Sequence, residues 1–438
     1  MTGTGESAPT TGEAVRSQVR AFLDENFDCD ISLRTWLERL ADSGWASPQW
    51  PARWFGKGLP ADLAAVAFDE FRKAKAPGPP AGLGRMLAAP TIIAHGTDEK
   101  KQRFVRRILT GADAWCQLFS EPGAGSDLAS LQTRAEPDGD ECVVNGQKVW
   151  TSGAHGADLG MLLARTDVGV PKHCGLTCFA FEMDQPGVEV RPLKQMTGDA
   201  QFAEVFFTGA RVPAANVIGD LNGGWRVAMT TLMNERAGLG AGSGLGFPIS
   251  APAGRRIQQQ LEQPVGEFLA SGMSTTIAAA SAGAMVGGNM QLLLLLAKAR
   301  GRDGDGNVRQ QIARLYTLSQ LNRWNGLRAR EAAKAGQRAG PAASAGKLMA
   351  SHIARQWRET AMTIAGGDGM LAGPDGPLSG GVARQSLFAP APSIYGGSDQ
   401  VQRNIIGERV LGLPKDPDIF RDVPFRDLRA GTQPKPAS

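Results

Sequence analysis

The chain has 438 residues and a net charge of +4 at pH 7, with 21% charged and 42% hydrophobic residues. This length suffices for two or three domains with substantial cores, and the composition is that of an ordinary globular protein. The small net charge does not indicate nucleic-acid binding. The longest purely apolar run, Leu292–Ala297, is far too short to cross a membrane.

The five cysteines are scattered along the chain and odd in number, which favours reduced thiols in a cytoplasmic protein. His173, Cys174 and Cys178 lie close together in the sequence, but no fourth ligand completes a metal-binding set. The sequence therefore predicts no metal site.

Apolar periodicity divides the chain into helical and strand-rich parts. Helical spacing begins at residue 14 and continues to a last helix that Thr97 would cap. Short β-branched and aromatic runs follow, and helical spacing returns near Gly224. The predicted parts are a disordered N-terminus (1–13), an N-terminal helical domain (14–114), a middle β domain (115–218), a C-terminal helical domain (219–414) and a tail (415–438) that lies along the surface or is mobile.

A turn rich in glycine and proline, between Gln117 and Asp127, follows the first predicted strand. Such a turn exposes backbone N–H groups, and the hydroxyls of Ser120 and Ser126 lie within it. These donors suit an anionic or acceptor-rich ligand, such as a phosphate or the edge of a flavin ring. On this turn alone, a plain surface loop between two strands remains the alternative.

A second landmark follows in the same predicted domain. Asn145-Gly146 is predicted to form a two-residue hairpin turn before a strand that ends in Trp150, Thr151 and Ser152. Together the two stretches closely resemble the flavin-binding signature of the acyl-CoA dehydrogenase family, and the resemblance continues in register to about residue 414.

The resemblance implies an α+β fold with an N-terminal helical domain, a central small β-barrel domain and a C-terminal helical bundle. It also implies FAD as cofactor and the α,β-dehydrogenation of an acyl-CoA substrate to the 2-enoyl-CoA, with hydride passing to the flavin. Ser126, Arg236 and Gly397 would contact the substrate. The residues that the resemblance assigns to FAD are Gln117, Phe119, Ser120, Gly125, Ser126, Trp150, Thr151, Ser152, Thr363, Gly366, Gly367, Ser398 and Gln400.

In the resembled family, the run that begins here at Thr363 contacts the ADP half of the FAD of a neighbouring subunit. The family usually has Gln at that position, so Thr363 weakens one polar contact. The resemblance thus implies a homodimer or homotetramer, with an electron-transfer flavoprotein as the electron acceptor. A second departure is Arg300–Gly306, which replaces the family's Arg-x-x-Phe-Gly turn at the neighbour's pyrophosphate. Neither Arg300 nor Arg302 is assigned to a site.

The position of the family's usual catalytic base, directly after Tyr395, holds Gly396. Glycine has no side chain to accept a proton. Its backbone N–H can still donate to the thioester oxygen and stabilise the negative charge that develops there. Gly396 is therefore assigned to catalysis through its backbone alone.

Glu235 is the candidate base. On the helix that starts near Trp225, the apolar stripe continues at helical spacing to Glu235 and Arg236. Burial would raise the pKa of this carboxylate toward the range of a general base. A structural ion pair with Arg236 is the alternative. The resemblance favours catalysis, because isovaleryl- and long-chain-type members carry their base as the Glu of a Glu-Arg pair on this helix.

Residues 238–262 are rich in glycine and proline and form an elaboration whose place in the fold the sequence does not fix. They would loosen the helix, leave room for a bulky acyl chain, form a flexible loop, or allow close helix contact. Two other functions remain open. One is a dehydrogenase of carrier-protein-linked acyl chains or an oxidase on the same fold, and the other is a non-catalytic partner subunit or binding protein.

Overall fold

The computed structural model describes residues 9–240, 247, 249–271, 290–334, 343–415, 417 and 420–428. The first eight residues of the predicted disordered N-terminus lie outside this set. Helix α1 begins at Gly12, two residues before the predicted boundary, because the Thr11 hydroxyl accepts the N–H of Ala14 and caps it.

The N-terminal part is helical, as predicted, around a core that includes the fully buried Trp36 and Phe71. A π-helical turn, Gly84–Ala88, leads directly into its fourth helix. Thr97 accepts the N–H of Lys100 and caps the last helix, as the sequence predicts. The helices are α1 Gly12–Asn26, α2 Leu33–Asp42, α3 Ala61–Lys73, α4 Ala89–His95 and α5 Asp98–Leu109.

The middle part is one mixed eight-stranded sheet in the order β6-β7-β3-β2-β4-β5-β8, with β1 parallel to β4. The sheet curls around its own core, where the rings of Phe181 and Phe207 lie 5.2 Å apart. Within the described residues no pairing joins β6 to β8, so the barrel-like sheet is not closed by hydrogen bonds. The strands are β1 Trp115–Leu118, β2 Arg134–Asp138, β3 Glu141–Ser152, β4 Leu159–Arg165, β5 Leu176–Glu182, β6 Val188–Leu193, β7 Phe202–Pro213 and β8 Val217–Ile218.

The predicted hairpin turn at Asn145-Gly146 is wrong. These residues lie inside the continuous strand β3, where the register with β7 shifts between Val144 and Gly146. The side chain of Asn145 accepts the N–H of Gly209 on β7, so the pair forms an irregularity within the sheet. A chain reversal between β2 and β3 instead occurs at Gly139, whose φ is +66°.

The C-terminal part is again helical, with a core around Trp357 and Leu315. Among the described helices, none has both the length and the hydrophobicity that a membrane span requires. The helices are α6 Gly224–Gly240, α7 Gln258–Leu261, α8 Val265–Ala270, α9 Met290–Ala299, α10 Gly306–Lys334, α11 Ala343–Ala365, α12 Gly381–Phe388 and α13 Asp399–Arg409.

The described part of the 238–262 elaboration returns to the N-terminal helices. Gly78 exchanges backbone hydrogen bonds with Ile249 and Ala251, of 2.8 and 3.1 Å. The ring of Phe247 packs against Phe71 at 4.9 Å. Helix α8 follows, and its Val265 N–H donates to the carbonyl of Ile31. This segment therefore ties the chain after α6 to the N-terminal domain, while 241–246 and 248 lie outside the described residues.

Part of the tail also docks on the body of the protein. Phe425 is buried and donates its N–H to the Val170 carbonyl in the loop between β4 and β5. The guanidinium of Arg165 lies 3.4 Å from the centroid of the Phe425 ring, in cation–π contact. Residues 429–438 lie outside the described chain.

Candidate functional site

Glu235 lies on the inner face of α6, as its helical spacing predicts. The buried residues Gly224, Ala228 and Thr231 precede it at intervals of four and three, and Glu235 continues the series. Burial raises the pKa of its carboxyl above the ordinary value. The side chain of Gln117 approaches that carboxyl as a hydrogen-bond donor, and the charges of Arg236 and Lys347 oppose the increase.

Gln117 belongs to β1, at the start of the predicted flavin stretch. Its contact with Glu235 therefore joins two sites that the sequence assigned separately, 118 positions apart in the chain numbering (235 minus 117). Arg236, the predicted substrate contact, is partly buried, and burial lowers the pKa of its guanidinium. The Glu235 charge opposes that decrease, while Arg409 adds to it.

The loop after Tyr395 has a backbone that suits glycine. Gly396 and Gly397 have φ of +64° and +85°, in the left-handed region. The buried Gln402 donates from Nε2 to the carbonyl oxygens of both glycines, at 2.9 and 3.3 Å. Within the described chain the N–H of Gly396 has no acceptor, so it remains available to a ligand. Ser398 caps α13 by accepting the N–H of Val401.

A buried polar network supports this loop from α11. Lys347 and Ser351 both donate to the carbonyl oxygen of Pro392, at 2.6 and 2.7 Å. Arg355 hydrogen-bonds to the hydroxyl of Ser393 and, at 2.8 Å, to the carboxylate of Asp399. The sequence reasoning missed this network, because its members lie on two helices and a loop that only the fold brings together.

Burial lowers the pKa of Lys347, while the nearby charges of Asp399 and Glu235 act in the opposite direction. Its ammonium lies 3.8 Å from Asp399, and its side chain is 3% exposed. Lys347 thus places one positive charge between the loop that carries Gly396 and the carboxyl of Glu235.

The predicted flavin stretch is held from inside by a buried ion pair. Lys148 of β3 donates from Nζ to Glu121 at 2.8 Å and to the Phe119 carbonyl at 3.0 Å. Glu121 also accepts the backbone N–H groups of Gln132 and Thr133. Burial alone would raise the pKa of Glu121, but Lys148 and these donors hold it below the ordinary value. The sequence reasoning missed both charged residues.

The other predicted FAD residues of the β domain fall into two groups. Gly125, Ser126 and Ser120 retain access to solvent, and a Cβ on Gly125 would meet no atom within 4 Å, so a ligand can approach this backbone. Phe119, by contrast, is buried in the core, which leaves only its backbone for a cofactor. The Val149 N–H donates to the Ser120 carbonyl and joins β3 to the turn.

The end of β3 also fits a ligand. Trp150 has φ of +60° and a side chain that is 57% exposed, both unusual for a strand tryptophan. Thr151 is fully buried, yet its hydroxyl has no hydrogen-bond partner among the described residues. Ser152 is partly exposed at the end of the strand. An unpaired buried hydroxyl beside an exposed aromatic ring is consistent with the polar edge of a flavin.

The predicted contacts to the ADP half lie on an exposed part of the C-terminal domain. Gly366 and Gly367 are exposed, and an added Cβ on either would meet nothing within 4 Å. Thr363 donates its hydroxyl to a carbonyl of its own helix, and Arg302 donates to the Thr363 carbonyl at 2.8 Å. Gln400 is exposed on α13.

Arg300 pairs with Asp368 at 2.5 Å, and Arg302 pairs with Asp305 at 2.6 Å. Both arginines of the turn that differs from the family's Arg-x-x-Phe-Gly pattern therefore have partners within this chain.

Three sequence profiles match successive parts of the chain. They are described as "Acyl-CoA dehydrogenase, N-terminal domain" for residues 10–112, "Acyl-CoA dehydrogenase, middle domain" for 116–210 and "Acyl-CoA dehydrogenase, C-terminal domain" for 273–411. The "Acyl-CoA dehydrogenase IpdE1" of Mycobacterium tuberculosis is 36% identical over 427 residues, covering 92% of this chain and 98% of that protein.

Two solved structures are similar over nearly the whole chain. One, the "Tcur3481-Tcur3483 steroid ACAD", has a TM-score of 0.66 and 26% identity, and the match covers 93% of this chain and 99% of that one. The other is the ChsE4-ChsE5 complex from Mycobacterium tuberculosis, with a TM-score of 0.63, 27% identity and coverage of 94% and 100%.

Proposed function

Because this chain belongs to the acyl-CoA dehydrogenase family, we propose that it converts an acyl-CoA thioester to the 2-enoyl-CoA with Glu235 as the base. The chain is an FAD-dependent oxidoreductase, as its family is. The observation that carries the assignment of the base is the contact between Glu235 on α6 and Gln117 at the start of the flavin stretch.

The residues of this chain divide the work of the reaction. The carboxylate of Glu235 removes the α-proton and becomes a carboxylic acid, and its raised pKa makes it a stronger base than an exposed glutamate. The N–H of Gly396 donates to the thioester oxygen as negative charge develops there. FAD supplies the acceptor for the hydride that leaves the β-carbon.

The backbone of the loop suits glycine at position 396 better than a residue with a side chain that could act as a base. With φ of +64°, a side chain there would be strained, and Gln402 holds the loop in this conformation. The Gly396 N–H has no acceptor among the described residues. A positioned donor of this kind requires little rearrangement when charge appears on the substrate.

The test is anaerobic bleaching of the flavin by a panel of acyl-CoA thioesters, including a steroid side-chain CoA because one of the similar structures is a "steroid ACAD". Glu235→Gln is expected to retain FAD and to slow bleaching at least about 100-fold, the usual effect of losing a general base. Glu136→Gln, on an exposed strand position, is the control and should not change the rate. Undiminished bleaching by Glu235→Gln would remove Glu235 as the base.

We also propose that a second subunit covers part of the C-terminal domain. Helices α9 and α10 expose Leu295, Tyr316 and Trp324, with 60%, 53% and 56% of each residue accessible, which is typical of an uncovered interface. A homodimer or homotetramer fits this surface. We further propose that an electron-transfer flavoprotein accepts the electrons from the reduced flavin. The proposed location is the cytoplasm, where the five free cysteines stay reduced.

A complex of two unlike chains is the second candidate. Both similar structures carry paired names, Tcur3481-Tcur3483 and ChsE4-ChsE5. In this chain Arg300 and Arg302 are engaged internally and leave the family's neighbour contact unfilled. The chain expressed alone distinguishes the two candidates. Full flavin occupancy with a dimeric or tetrameric mass supports the homo-oligomer, and low occupancy that an unlike partner restores supports the mixed complex.

A further inference from the structure

Arg85 is a partly buried cation that lacks a counter-charge in the described part of the chain. Burial alone lowers the pKa of its guanidinium, and no carboxylate contributes to offset that. Its side chain forms no hydrogen bond, ion pair or ring contact with any described residue. By contrast, Arg107 makes two hydrogen bonds to Asp113, at 2.5 and 2.6 Å. A guanidinium that is partly desolvated without such a partner is costly, and an anionic ligand would remove that cost.

The element that carries Arg85 borders the candidate site. The π-helical turn Gly84–Ala88 packs against α6 and against β1, which bear Glu235 and Gln117 respectively. A Cβ on Gly84 would lie 3.2 Å from Ile108, which shows how closely the turn is seated. Single π-helical turns are rare and occur frequently at functional sites.

The register between α4 and α6 indicates where Arg85 lies along the cleft. Thr91 hydrogen-bonds to Thr231 at 3.0 Å, and His95 hydrogen-bonds to Thr230 at 2.8 Å while also facing the charge of Arg226. The two helices therefore run antiparallel, and residues before Thr91 lie opposite residues after Thr231. Arg85 precedes the first and Glu235 follows the second, so both are at the same end of the helix pair.

Arg85 is nevertheless not the cation that acts on Glu235. The charges that shift the pKa of Glu235 are those of Arg236 and Lys347. The free guanidinium is therefore available at some distance from the reacting carbons. Such a separation fits a contact to a distal group of an acyl chain whose α-carbon lies at Glu235, rather than a contact to the reacting carbons.

We propose that Arg85 binds a carboxylate at the far end of the acyl group, so that this enzyme acts on CoA thioesters of dicarboxylic acids. This inference rests on the proposed function. Guanidinium and carboxylate form two parallel hydrogen bonds, and this geometry selects a terminal carboxylate over a methyl group. The ligand thus supplies the negative charge that the described chain does not.

The experiment compares matched thioesters in anaerobic flavin reduction. Adipoyl-CoA is paired with hexanoyl-CoA, and suberoyl-CoA with octanoyl-CoA, on the complete enzyme. In one pair, the wild type is expected to reach the same rate of flavin reduction at an about 10- to 100-fold lower concentration of the dicarboxylyl-CoA than of the monocarboxylyl-CoA. This is the gain in affinity that one charged hydrogen-bonded contact provides. Arg85→Met should abolish that preference and leave reduction by the unsubstituted thioester within about threefold.

Arg226→Met is the matched control, because Arg226 is exposed on α6 and pairs with Asp220 at 2.9 Å. It should keep the preference. If Arg85→Met does not retain FAD, Arg85→Lys replaces it, and the preference should fall because one ammonium cannot make the paired contact.

Three results would overturn the inference. The first is that the wild type reduces its flavin equally well with the dicarboxylyl-CoA and the monocarboxylyl-CoA of each pair. The second is that the preference for the dicarboxylyl-CoA survives the Arg85 substitution. The third is that the substitution slows flavin reduction equally with both thioesters of a pair, which would place Arg85 at the CoA group. The proposed function fails separately, if no thioester of either kind bleaches the flavin.

Discussion

Gln402 holds the carbonyl oxygen of Gly396 at 2.9 Å and has no exposed surface of its own. One buried amide thereby fixes the peptide groups that follow Gly396 and Gly397, and so restrains the loop from which the Gly396 N–H projects. Gln402 has no accessible surface with which to contact a substrate. It is a positioning residue for the group that would stabilise the thioester oxygen.

The first prediction concerns Gln402→Glu. The substitution keeps the size of the side chain, but its carboxylate would oppose the two glycine carbonyls, so the loop should shift. We expect kcat for flavin reduction to fall about 10- to 100-fold while the KM changes less, because the lost stabilisation arises mainly in the transition state. Asn404→Ala, an exposed position on α13, should change neither quantity. A large rise in KM with unchanged kcat would contradict this role.

The second prediction separates charge from hydrogen bonding at Pro392. Lys347→Met removes a positive charge that acts on Glu235, whereas Ser351→Ala removes a hydrogen bond to the same carbonyl without changing any charge. Loss of the cation should raise the pKa of Glu235 further, because Arg236 would then be the remaining charge that favours its ionised form.

The measurement is the pH profile of anaerobic flavin reduction. Since Glu235 acts as a base only when it is ionised, the rise in rate should move to higher pH in Lys347→Met and stay in place in Ser351→Ala. Equal shifts in both variants would mean that the loop position, and not the charge, controls the profile.

The third prediction concerns stability. The pKa of Glu235 is higher in the folded protein than in the unfolded chain, so the folded state binds the proton more tightly. Stability is therefore lost as pH rises from the unfolded value of about 4.5 through the folded one, by about 1.4 kcal/mol for each unit of difference. Glu235→Gln should unfold at a higher temperature than the wild type at pH 7, with the difference shrinking toward pH 4. A less stable variant at pH 7 would contradict the sign.

The fourth prediction concerns the ion pair under the flavin stretch. Lys148→Met leaves the buried carboxylate of Glu121 without its cation, which should cost about 3–5 kcal/mol of unfolding free energy and weaken FAD binding. Adding Glu121→Gln should recover part of that loss, because the unpaired charge is gone. Arg211→Ala, which breaks two exposed pairs of the same sheet, should cost no more than about 1 kcal/mol. The free energy of unfolding in denaturant and the release of flavin are measured for the wild type and these three variants.

Local signals were sufficient for part of this structure. Thr97 caps α5, as predicted, because capping depends on a few adjacent residues. Helical periodicity likewise put Glu235 on the buried face of α6. The Asn145-Gly146 prediction failed, because pairing along β7 kept β3 continuous and made the glycine an irregularity within it.

The supporting charges could not be found in this way. Lys148 and Glu121 meet across 27 positions, and Lys347 and Pro392 across 45. Nothing in either local sequence distinguishes these residues from solvated ones. Arg85 could not be identified from the sequence either, because it is distinguished by the lack of a counter-charge among the described residues.

The return of residues 249–271 to the N-terminal helices has a consequence for synthesis on the ribosome. Gly78 and Ile31 receive their backbone partners from Ile249, Ala251 and Val265, which are translated long after the helices they complete. The first hundred residues should therefore leave the exit tunnel with the backbone groups of Gly78 and Ile31 unpaired. They should stay sensitive to proteases until the later segment emerges. Nascent chains arrested before and after residue 271 would differ in this sensitivity.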